Sequence, residues 1–425
     1  MTTLVELFDR SPIENIIGSL ALKPDVTVFV GTDVRRMQRA LPAYEAILRG
    51  RGIKTELLVR SAARSDLEST VAVLDALLDD RSDEPDEVCA VDISGGDETA
   101  LLAVGAILGS RAGEKRNLYA FRCGPITRQA TIFRMDRTSE GHLSITKEQI
   151  DYTEKGESPL YLTVDEMVRL HGGIIVSRSQ TISPGAEEEE DIEALWRISK
   201  RACADWNTLI GRMSAEVSRS VGEEGVWAIP HSSFGSGKNR LNRAFFDELA
   251  DAGLIRVTEQ NGDMILFTYK NKIVRECLTK AGSILEYHTY CTALDLRRGG
   301  MSVYDSAAIG VVLDWDGNPN GTKNEVDVVL VRGVVPVFIS CKNGDIDVDE
   351  LYKVDTVAGK FGGTLSRRVL LSTVFLDPES KGFAGPGAAN TLEERAHDMS
   401  VRTISAVHRM KDGELGDALA NLVKQ

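Results

Sequence analysis

Short apolar runs alternate with helix-like segments through the first third of the chain. Strand-like runs cover residues 27–31, 54–59, 87–94 and 117–123, helical patterns lie between them over 36–50, 66–79 and 99–110, and shorter β segments follow near 129–134 and 143–146. Strands that are apolar on both faces and separated by helices are typical of a parallel sheet covered by helices. The pattern therefore predicts a doubly wound α/β domain, in which ligands bind at the carboxyl ends of the strands.

The middle of the chain follows a different pattern. Residues 183–191 contain a proline, a glycine and five consecutive acids, which predict a solvated hinge or the start of a helix. An amphipathic helix over 241–255, ending near Gly253, precedes two alternating segments with a turn at Asn261–Gly262. Helices followed by a hairpin predict a winged-helix element, which could bind DNA or serve as a spacer or a dimerisation unit.

From residue 279 the pattern returns to alternating helices and strands. Helices are predicted over 281–296 and 349–361, and strands over 302–314, 326–332, 335–341 and 367–372. We therefore predict an α/β domain over 1–160, a helical and winged-helix linker region over 161–278, and a second α/β domain over 279–425.

Composition narrows the class of protein. The 425 residues are 42% hydrophobic and 27% charged, which is ordinary for a globular protein of two or three domains. The net charge of −14 gives no global attraction to nucleic acid, so any such binding must use local basic patches. Six scattered cysteines without C-x-x-C pairs argue against zinc and against a disulfide framework. Without a signal-like N-terminus or a long apolar run, we expect a cytoplasmic protein with no membrane partner.

Two polar loops follow predicted strands at the same edge of the first sheet. The candidate ligand-binding residues in them are Gly31, Thr32, Asp33 and Arg35 of one loop and Ser94, Gly95, Gly96, Asp97, Glu98 and Thr99 of the other. Thr32 or Asp33 could contact a base or a ribose, and Arg35 could contact a phosphate. Glycines let backbone approach a ligand, and N–H groups at a helix N-terminus attract phosphate. The alternative is a pair of tight turns in which the acids cap helices. Neither loop is a G-x-G-x-x-G or Walker A sequence.

A second candidate site lies in the last domain. Glu325 and Asp327 stand at the start of one predicted strand, and Lys342 follows the end of the next. A charge at the end of a buried strand is costly unless it is paired or metal-bound. Carboxylates and a lysine on adjacent strands can hold a divalent cation and a water beside a phosphodiester. Glu286, on the preceding helix, is either one more oxygen ligand or a surface residue.

These segments resemble a known superfamily. The runs S-I-L-E-Y-H-T-Y, N-E-V-D-V-V-L and F-I-S-C-K-N, with residues 350–363, are similar to the restriction-endonuclease-like PD-(D/E)-x-K nucleases. With the N-terminal S-P-I-E-N-I-I run and the D-I-S-G-G-D-E-T loop, the chain more narrowly resembles CRISPR-ancillary nucleases that join this domain to a Rossmann-like CARF sensor.

The resemblance implies a homodimer that binds a cyclic oligoadenylate, with cyclic tetra-adenylate as the expected activator. It also implies cleavage of DNA or RNA with Mg²⁺ or Mn²⁺, in type III CRISPR antiviral defence. By the family pattern the two loops of the first domain would contact the cyclic nucleotide. Glu98 stands where a lysine is common in such sensors.

The resemblance also assigns roles in the last domain. Asp327 would bind the metal, Glu286 would complete the site from its helix, and Lys342 would orient the attacking water or stabilise charge in the transition state. Ser340 is a further candidate catalytic residue, because it stands where the family pattern has a second acid. Glu325 is an alternative ligand. Cys341 is a further metal-ligand candidate, although its pattern favours a small buried residue.

The sequence is also compatible with two other functions. One is a ligand-responsive regulator that binds DNA through the winged region and carries an inactive nuclease fold. The other is an enzyme that degrades its cyclic nucleotide in the first domain, where Ser94 and Thr99 would be the residues to test.

Overall fold

A computed structural model describes the chain except for a few short segments. The residues outside the description are 64–65, 82–86, 114–116, 153–159, 180–182, 202, 218–224, 236–239, 262, 316–320, 322, 345, 374–385 and 425. The expected turn at Asn261–Gly262 therefore falls partly outside the described residues. In the part of the chain that is described, no helix is long and apolar enough to cross a membrane.

The N-terminal domain is built on one seven-stranded sheet in the order β3-β2-β1-β4-β5-β6-β7. Its strands are β1 Thr2–Leu7, β2 Val26–Gly31, β3 Glu56–Ser61, β4 Val88–Asp92, β5 Leu118–Gly124, β6 Gln129–Arg137 and β7 Leu143–Asp151. The first five are parallel and the last two antiparallel. The doubly wound, Rossmann-like α/β class is confirmed. The central strand β1 was not predicted, because Glu6 interrupts its apolar pattern and carboxylates are rarely buried in strands.

Four helices cover this sheet on both faces. They are α1 Glu14–Leu22, α2 Val34–Gly50, α3 Leu67–Arg81 and α4 Glu98–Ser110. Apolar side chains from α1 and α2 pack against one face, and those of α3 and α4 against the other. Both α2 and α4 begin directly after a strand, so their N-termini lie at the carboxyl edge of the sheet, as the two polar loops predicted.

The middle region contains a small antiparallel sheet flanked by helices. Its elements are α5 Val164–Leu170, β8 Ile174–Ser177, α6 Ala186–Arg201, α7 Cys203–Val217, β9 Trp227–Pro230, α8 Arg243–Asp251, β10 Ile255–Asn261, β11 Met264–Tyr269 and α9 Lys272–Thr279. The acid run of 183–191 enters the first turns of α6, in line with a helix start. Strands β10 and β11 form the expected hairpin, and β9, which was not predicted, pairs with β11.

The C-terminal domain contains a six-stranded mixed sheet in the order β18-β17-β16-β15-β14-β8. Its elements are α10 Ser283–Asp295, β12 Arg297–Arg298, β13 Met301–Ser302, β14 Ser306–Asp314, β15 Lys323–Arg332, β16 Val335–Lys342, α11 Val348–Gly362, β17 Arg367–Ser372, α12 Pro386–Asp398, β18 Val401–Ile404 and α13 Glu414–Asn421. The edge strand β8 comes from the region predicted as a linker. Helices α10 and α11 pack on opposite faces of the sheet.

The N-terminal and C-terminal domains are joined by packing and by an ion pair. One continuous apolar cluster includes Leu4 of β1, Leu162 and Val329 of β15. Arg128, in the turn between β5 and β6, pairs with Asp305, just ahead of β14. Both side chains are largely buried, at 13% and 16% exposure, so this is an interior contact between the domains.

Candidate functional site

A cleft of about 990 Å³ opens at the carboxyl edge of the N-terminal sheet. This volume is at the upper end of ordinary ligand sites. Eight of the ten residues predicted to contact a ligand line it: Gly31, Thr32, Asp33, Arg35, Gly96, Asp97, Glu98 and Thr99. The other two, Ser94 and Gly95, line an adjoining recess of about 600 Å³. The structure therefore brings the two predicted loops together, while their contact with a ligand stays a prediction.

Both helix N-termini at this cleft are capped by acids. Asp33 accepts a hydrogen bond from Arg36 N–H at 3.0 Å, and Asp97 accepts one from Ala100 N–H at 2.8 Å. The capping alternative is thus correct for these two residues. Gly96 has a φ of +94°, and a Cβ there would lie 2.8 Å from Leu7 Cβ, so a glycine is needed for this turn.

A third loop also lines the cleft. It was not predicted, because the strand before it, β1, was not predicted. It follows that strand and contributes Asp9 and Arg10. Asn15 of α1 fixes the loop, because its side-chain oxygen accepts Asp9 N–H at 2.6 Å and its amide donates to Asp9 O at 2.9 Å. The cleft thus holds three arginines, Arg10, Arg35 and Arg36, among several acids.

In the C-terminal domain, Asp327 of β15 is held against the end of β16. Its Oδ2 accepts the N–H of Cys341 at 2.7 Å and the hydroxyl of Ser340 at 3.4 Å. Burial raises the pKa of Asp327, while the ammonium of Lys342 and the Cys341 hydrogen bond oppose that rise. Ser340 therefore supports Asp327 by a long hydrogen bond and contributes no carboxylate.

Glu286 approaches Asp327 from α10. Only 4% of the residue is exposed, so the surface alternative is wrong. Burial and, after it, the negative charge of Asp327 raise the pKa of Glu286 to about 7. Lys280 Nζ lies 3.7 Å from Glu286 Oε1 and 3.0 Å from Glu325 Oε1. Its positive charge offsets part of the repulsion between these acids. Lys280 was not predicted, because nothing in its local sequence marks it.

A cleft of about 260 Å³ opens beside Asp327 on the α11 side of the sheet. Glu325, Ser340 and Lys342 line it, whereas Glu286 lies on the α10 side. Lys342 Nζ is 2.9 Å from Glu350 of α11. Burial disfavours the charge on Lys342, but Asp327 and Glu350 raise its pKa above the ordinary value, so it stays an ammonium.

Glu350 is a site residue that the sequence reasoning did not single out. It also accepts a hydrogen bond from Lys353 Nζ at 2.7 Å. Burial would raise the pKa of Glu350, yet Lys353 and Lys342 lower it below the ordinary value. Its position in the first turn of α11, within the run that resembled the nuclease family, was the available signal.

The donor chemistry near Asp327 suits a hard divalent cation bound largely by water. Among the described residues, no group of three or more His, Cys, Asp or Glu side chains could hold a metal ion. The buried carboxyl of Glu286 and the half-buried carboxyl of Asp327 nevertheless repel each other. Mg²⁺ is commonly held by one or two carboxylates and several waters. The metal assignments therefore stay predictions.

Cys341 offers little to such a cation. Its sulfur lies 3.9 Å from Thr289 Oγ1. Burial raises the pKa of the thiol well above its usual range, which favours the neutral form, whereas metals bind the thiolate. Its role as a ligand stays a prediction that this environment does not favour.

Solved structures share the arrangement of the whole chain. The crystal structure of protein VC1899 from Vibrio cholerae matches over 99% of this chain and 97% of its own, with a TM-score of 0.68 and 17% identity. Can2 from Sulfobacillus thermosulfidooxidans, solved in complex with cyclic tetra-adenylate, matches over 100% of both chains, with a TM-score of 0.64 and 14% identity. At these identities the likeness establishes the fold. No family model matches the sequence, and no curated protein does.

Proposed function

We propose that this protein is a CARF-type sensor of a cyclic oligoadenylate that controls a metal-dependent nuclease of the restriction-endonuclease-like class. It would act as a homodimer in CRISPR-linked defence, with Mg²⁺ or Mn²⁺, on DNA or RNA. The observation that carries the proposal is that one chain, with a fold like that of the solved structures above, contains two candidate sites. A cleft between helix N-termini lies in one domain, and a pair of acids, Glu286 and Asp327, with a lysine beside it lies in the other.

The N-terminal cleft supports a phosphate-rich ligand. The N-termini of α2 and α4 both lie at the cleft, and helix N-termini favour anions. Arg10 and Arg35 supply charge that can pair with phosphates. The fold is that of Can2, which was solved with cyclic tetra-adenylate. Binding across the axis of a dimer is part of the proposal.

The C-terminal site supports hydrolysis of a phosphodiester. Asp327 and Glu286 would hold the metal, which when bound would supply charge neutralisation and an activated water. Lys342 stays an ammonium beside Asp327 and would stabilise negative charge on the phosphoryl oxygens. Glu350 would position Lys342 through their 2.9 Å contact.

The contact between Arg128 and Asp305 supports control of one site by the other. Asp305 also accepts Gly333 N–H at 2.6 Å, in the turn that joins β15 to β16. A Cβ at Gly333 would lie 2.8 Å from Arg128 Nε, so this turn is closely packed on the arginine. The same two strands carry Asp327 and Lys342. A movement of the β5–β6 turn would therefore reach the strands of the candidate active site.

The proposal is tested by cleavage of supercoiled plasmid and of labelled single-stranded DNA and RNA. Each is incubated with Mg²⁺ or Mn²⁺, with and without cyclic tetra-adenylate. We expect ligand-dependent cutting that Asp327→Ala lowers at least about 100-fold, since it removes a carboxylate from the reacting centre. Asp349→Ala, which removes an exposed acid of α11, is the matched control. Cutting that persists in Asp327→Ala would contradict the assignment.

A second function is favoured by the wing and by Ser340. The sheet of β9, β10 and β11 packs beside α8, as in a winged-helix unit. Ser340 stands in place of an acid. A regulator that binds DNA without cutting it would keep its DNA affinity in Asp327→Ala and show no cleavage in the wild type under any of these conditions.

A further inference from the structure

Two carboxyl groups are buried beneath the N-terminal cleft and take no part in lining it. Glu6 of β1 and Asp92 of β4 are direct partners in the parallel pairing of these strands, and both residues are 0% exposed. Gly18 of α1 covers them so closely that a Cβ there would overlap Asp92 Oδ2 and lie 3.1 Å from Glu6 Oε2. The pair is thus enclosed by two strands and a helix.

Three of the four carboxyl oxygens have no hydrogen-bond donor among the described residues. They are Glu6 Oε1, Glu6 Oε2 and Asp92 Oδ2. Two ionised carboxylates in such a place would be both unsatisfied and mutually repelled. One proton between them removes the repulsion and supplies the missing donor. The pattern is that of a carboxylic acid bonded to a carboxylate.

The fourth oxygen holds the cleft loop. Asp92 Oδ1 accepts the N–H of Ser94 at 2.7 Å, and the hydroxyl oxygen of Ser94 accepts the N–H of Cys123 at 2.7 Å. Ser94 begins the loop that runs over the cleft edge to Asp97 and the N-terminus of α4. The position of this loop therefore depends on where the Asp92 carboxyl lies.

We propose that Glu6 and Asp92 share a proton and thereby position the 94–99 loop for ligand binding. Both are positioning residues, since neither lines the cleft. Loss of the proton would force two adjacent buried carboxylates apart, and Asp92 could no longer hold Ser94. The effect on ligand affinity rests on the proposed function; the proton and its hold on the loop do not.

The surrounding charges agree with a retained proton. After burial, Asp92 is the largest cause that raises the pKa of Glu6, followed by Glu14 and Asp9. Burial raises the pKa of Asp92 to about 7, although its hydrogen bonds with Ser94 and Glu6 oppose the rise.

The other titratable groups facing the pair stay neutral. Burial raises the pKa of the Cys123 thiol to about 12, and burial likewise raises the pKa of Tyr44. The proton therefore belongs to Glu6 and Asp92, and the pair titrates as a unit.

The first test measures affinity for cyclic tetra-adenylate by calorimetry on the full chain between pH 5.5 and 8.5. We expect the dissociation constant of the wild type to rise about tenfold across this range, because the ligand should bind more tightly to the form in which the pair keeps its proton. Glu6→Gln keeps a donor to Asp92 without a charge, so its affinity should stay flat and within about threefold of the wild type at pH 5.5. A profile in Glu6→Gln that parallels the wild type would overturn the proposal.

A second measurement needs no ligand. Hydrogen exchange of the segments containing Ser94 and Cys123, corrected for the intrinsic effect of pH, should show protection that falls with rising pH in the wild type and not in Glu6→Gln. Asp92→Asn keeps the oxygen that accepts Ser94 N–H and should retain protection, whereas Asp92→Ala should lose it. Protection independent of pH in the wild type would contradict the shared proton.

The two measurements separate the inference from the proposed function. If cyclic tetra-adenylate fails to bind at any pH while the exchange pattern appears, the ligand assignment is wrong and the pair stands. If the ligand binds with equal affinity across the pH range and exchange is also unchanged, the pair is wrong and the sensor function stands.

Discussion

The molecule contains two pairs of neighbouring acids, and their surroundings differ. Glu286 and Asp327 in the C-terminal domain have lysines close by, with Lys280 3.7 Å from Glu286 and Lys342 acting on Asp327. Glu6 and Asp92 in the N-terminal domain face further acids instead. Burial raises the pKa in both pairs.

The difference indicates two uses of the same side chains. Lysines beside a carboxylate favour its charged form, which can hold a cation and act on a phosphodiester. Acids beside a carboxyl favour its protonated form, which can donate a hydrogen bond and fix a loop. The first pair is thus suited to chemistry, and the second to holding a binding site in place.

Of the changes that test this difference between the two pairs, removal of Lys342 should have the largest effect. Lys342→Ala is expected to lower the nuclease rate at least about 100-fold, because it removes the ammonium whose charge acts most strongly on Asp327. Lys353→Ala removes the other lysine bonded to Glu350 and should change the rate less than about threefold. Initial rates of plasmid cleavage at saturating ligand would distinguish them, and equal losses in both variants would contradict the role given to Lys342.

Ligand affinity should depend on the cleft arginines. Arg35 is exposed and lines the cleft, and Arg35→Ala is expected to weaken cyclic tetra-adenylate binding about tenfold through loss of a charge-assisted contact. Arg39, one turn further along α2, does not line the cleft, and Arg39→Ala is the matched control. Calorimetry that finds equal affinities for both variants would count against this part of the cleft.

Loss of the ion pair between the domains should lower the stimulation of cleavage by the ligand more than it changes ligand affinity or the cleavage site itself. Arg128→Ala and Asp305→Ala are each expected to lower ligand stimulation of cleavage about fivefold, with little further loss in the double variant, because they share one ion pair. Ligand affinity and stability should be measured in parallel. Additive losses in the double variant would show that the two residues act separately.

The smallest expected effect is on stability. The native pKa of Asp92 is about 7, above its ordinary value, so the folded protein binds more protons than the unfolded chain from about pH 4 to pH 7. The free energy of unfolding contributed by the pair therefore falls as pH rises through this window. The free energy of unfolding of Glu6→Gln should exceed that of the wild type by about 1 kcal/mol at pH 8 and by less at pH 5. Denaturant titrations at both pH values measure this, and an unchanged difference would contradict it.

The two domains also differ in how far their sites could be predicted. The rule that ligands bind at strand carboxyl ends placed Asp33 and Asp97 at one cleft, since each follows its strand directly in sequence. Arg10 was missed because Glu6 concealed the central strand. In the C-terminal domain the sequence indicated Asp327, at the start of one predicted strand, and Lys342, at the end of the next.

The remaining residues of that site depend on tertiary packing. Lys280 precedes α10 and has no local pattern that signals proximity to β15, and Glu350, in the first turn of α11, was marked only by the run that resembled the nuclease family. Their positions follow from how two helices pack on opposite faces of one sheet. Sequence spacing alone does not determine that geometry.

The most direct test of the central claim is the cleavage rate measured against cyclic tetra-adenylate concentration, in the wild type and in Arg35→Ala. If the N-terminal cleft controls the C-terminal site, the variant should need about tenfold more ligand for half-maximal cleavage and should reach the same maximal rate. Cleavage that does not respond to the ligand, or a variant that loses maximal rate with an unchanged midpoint, would contradict control of the nuclease site by this cleft.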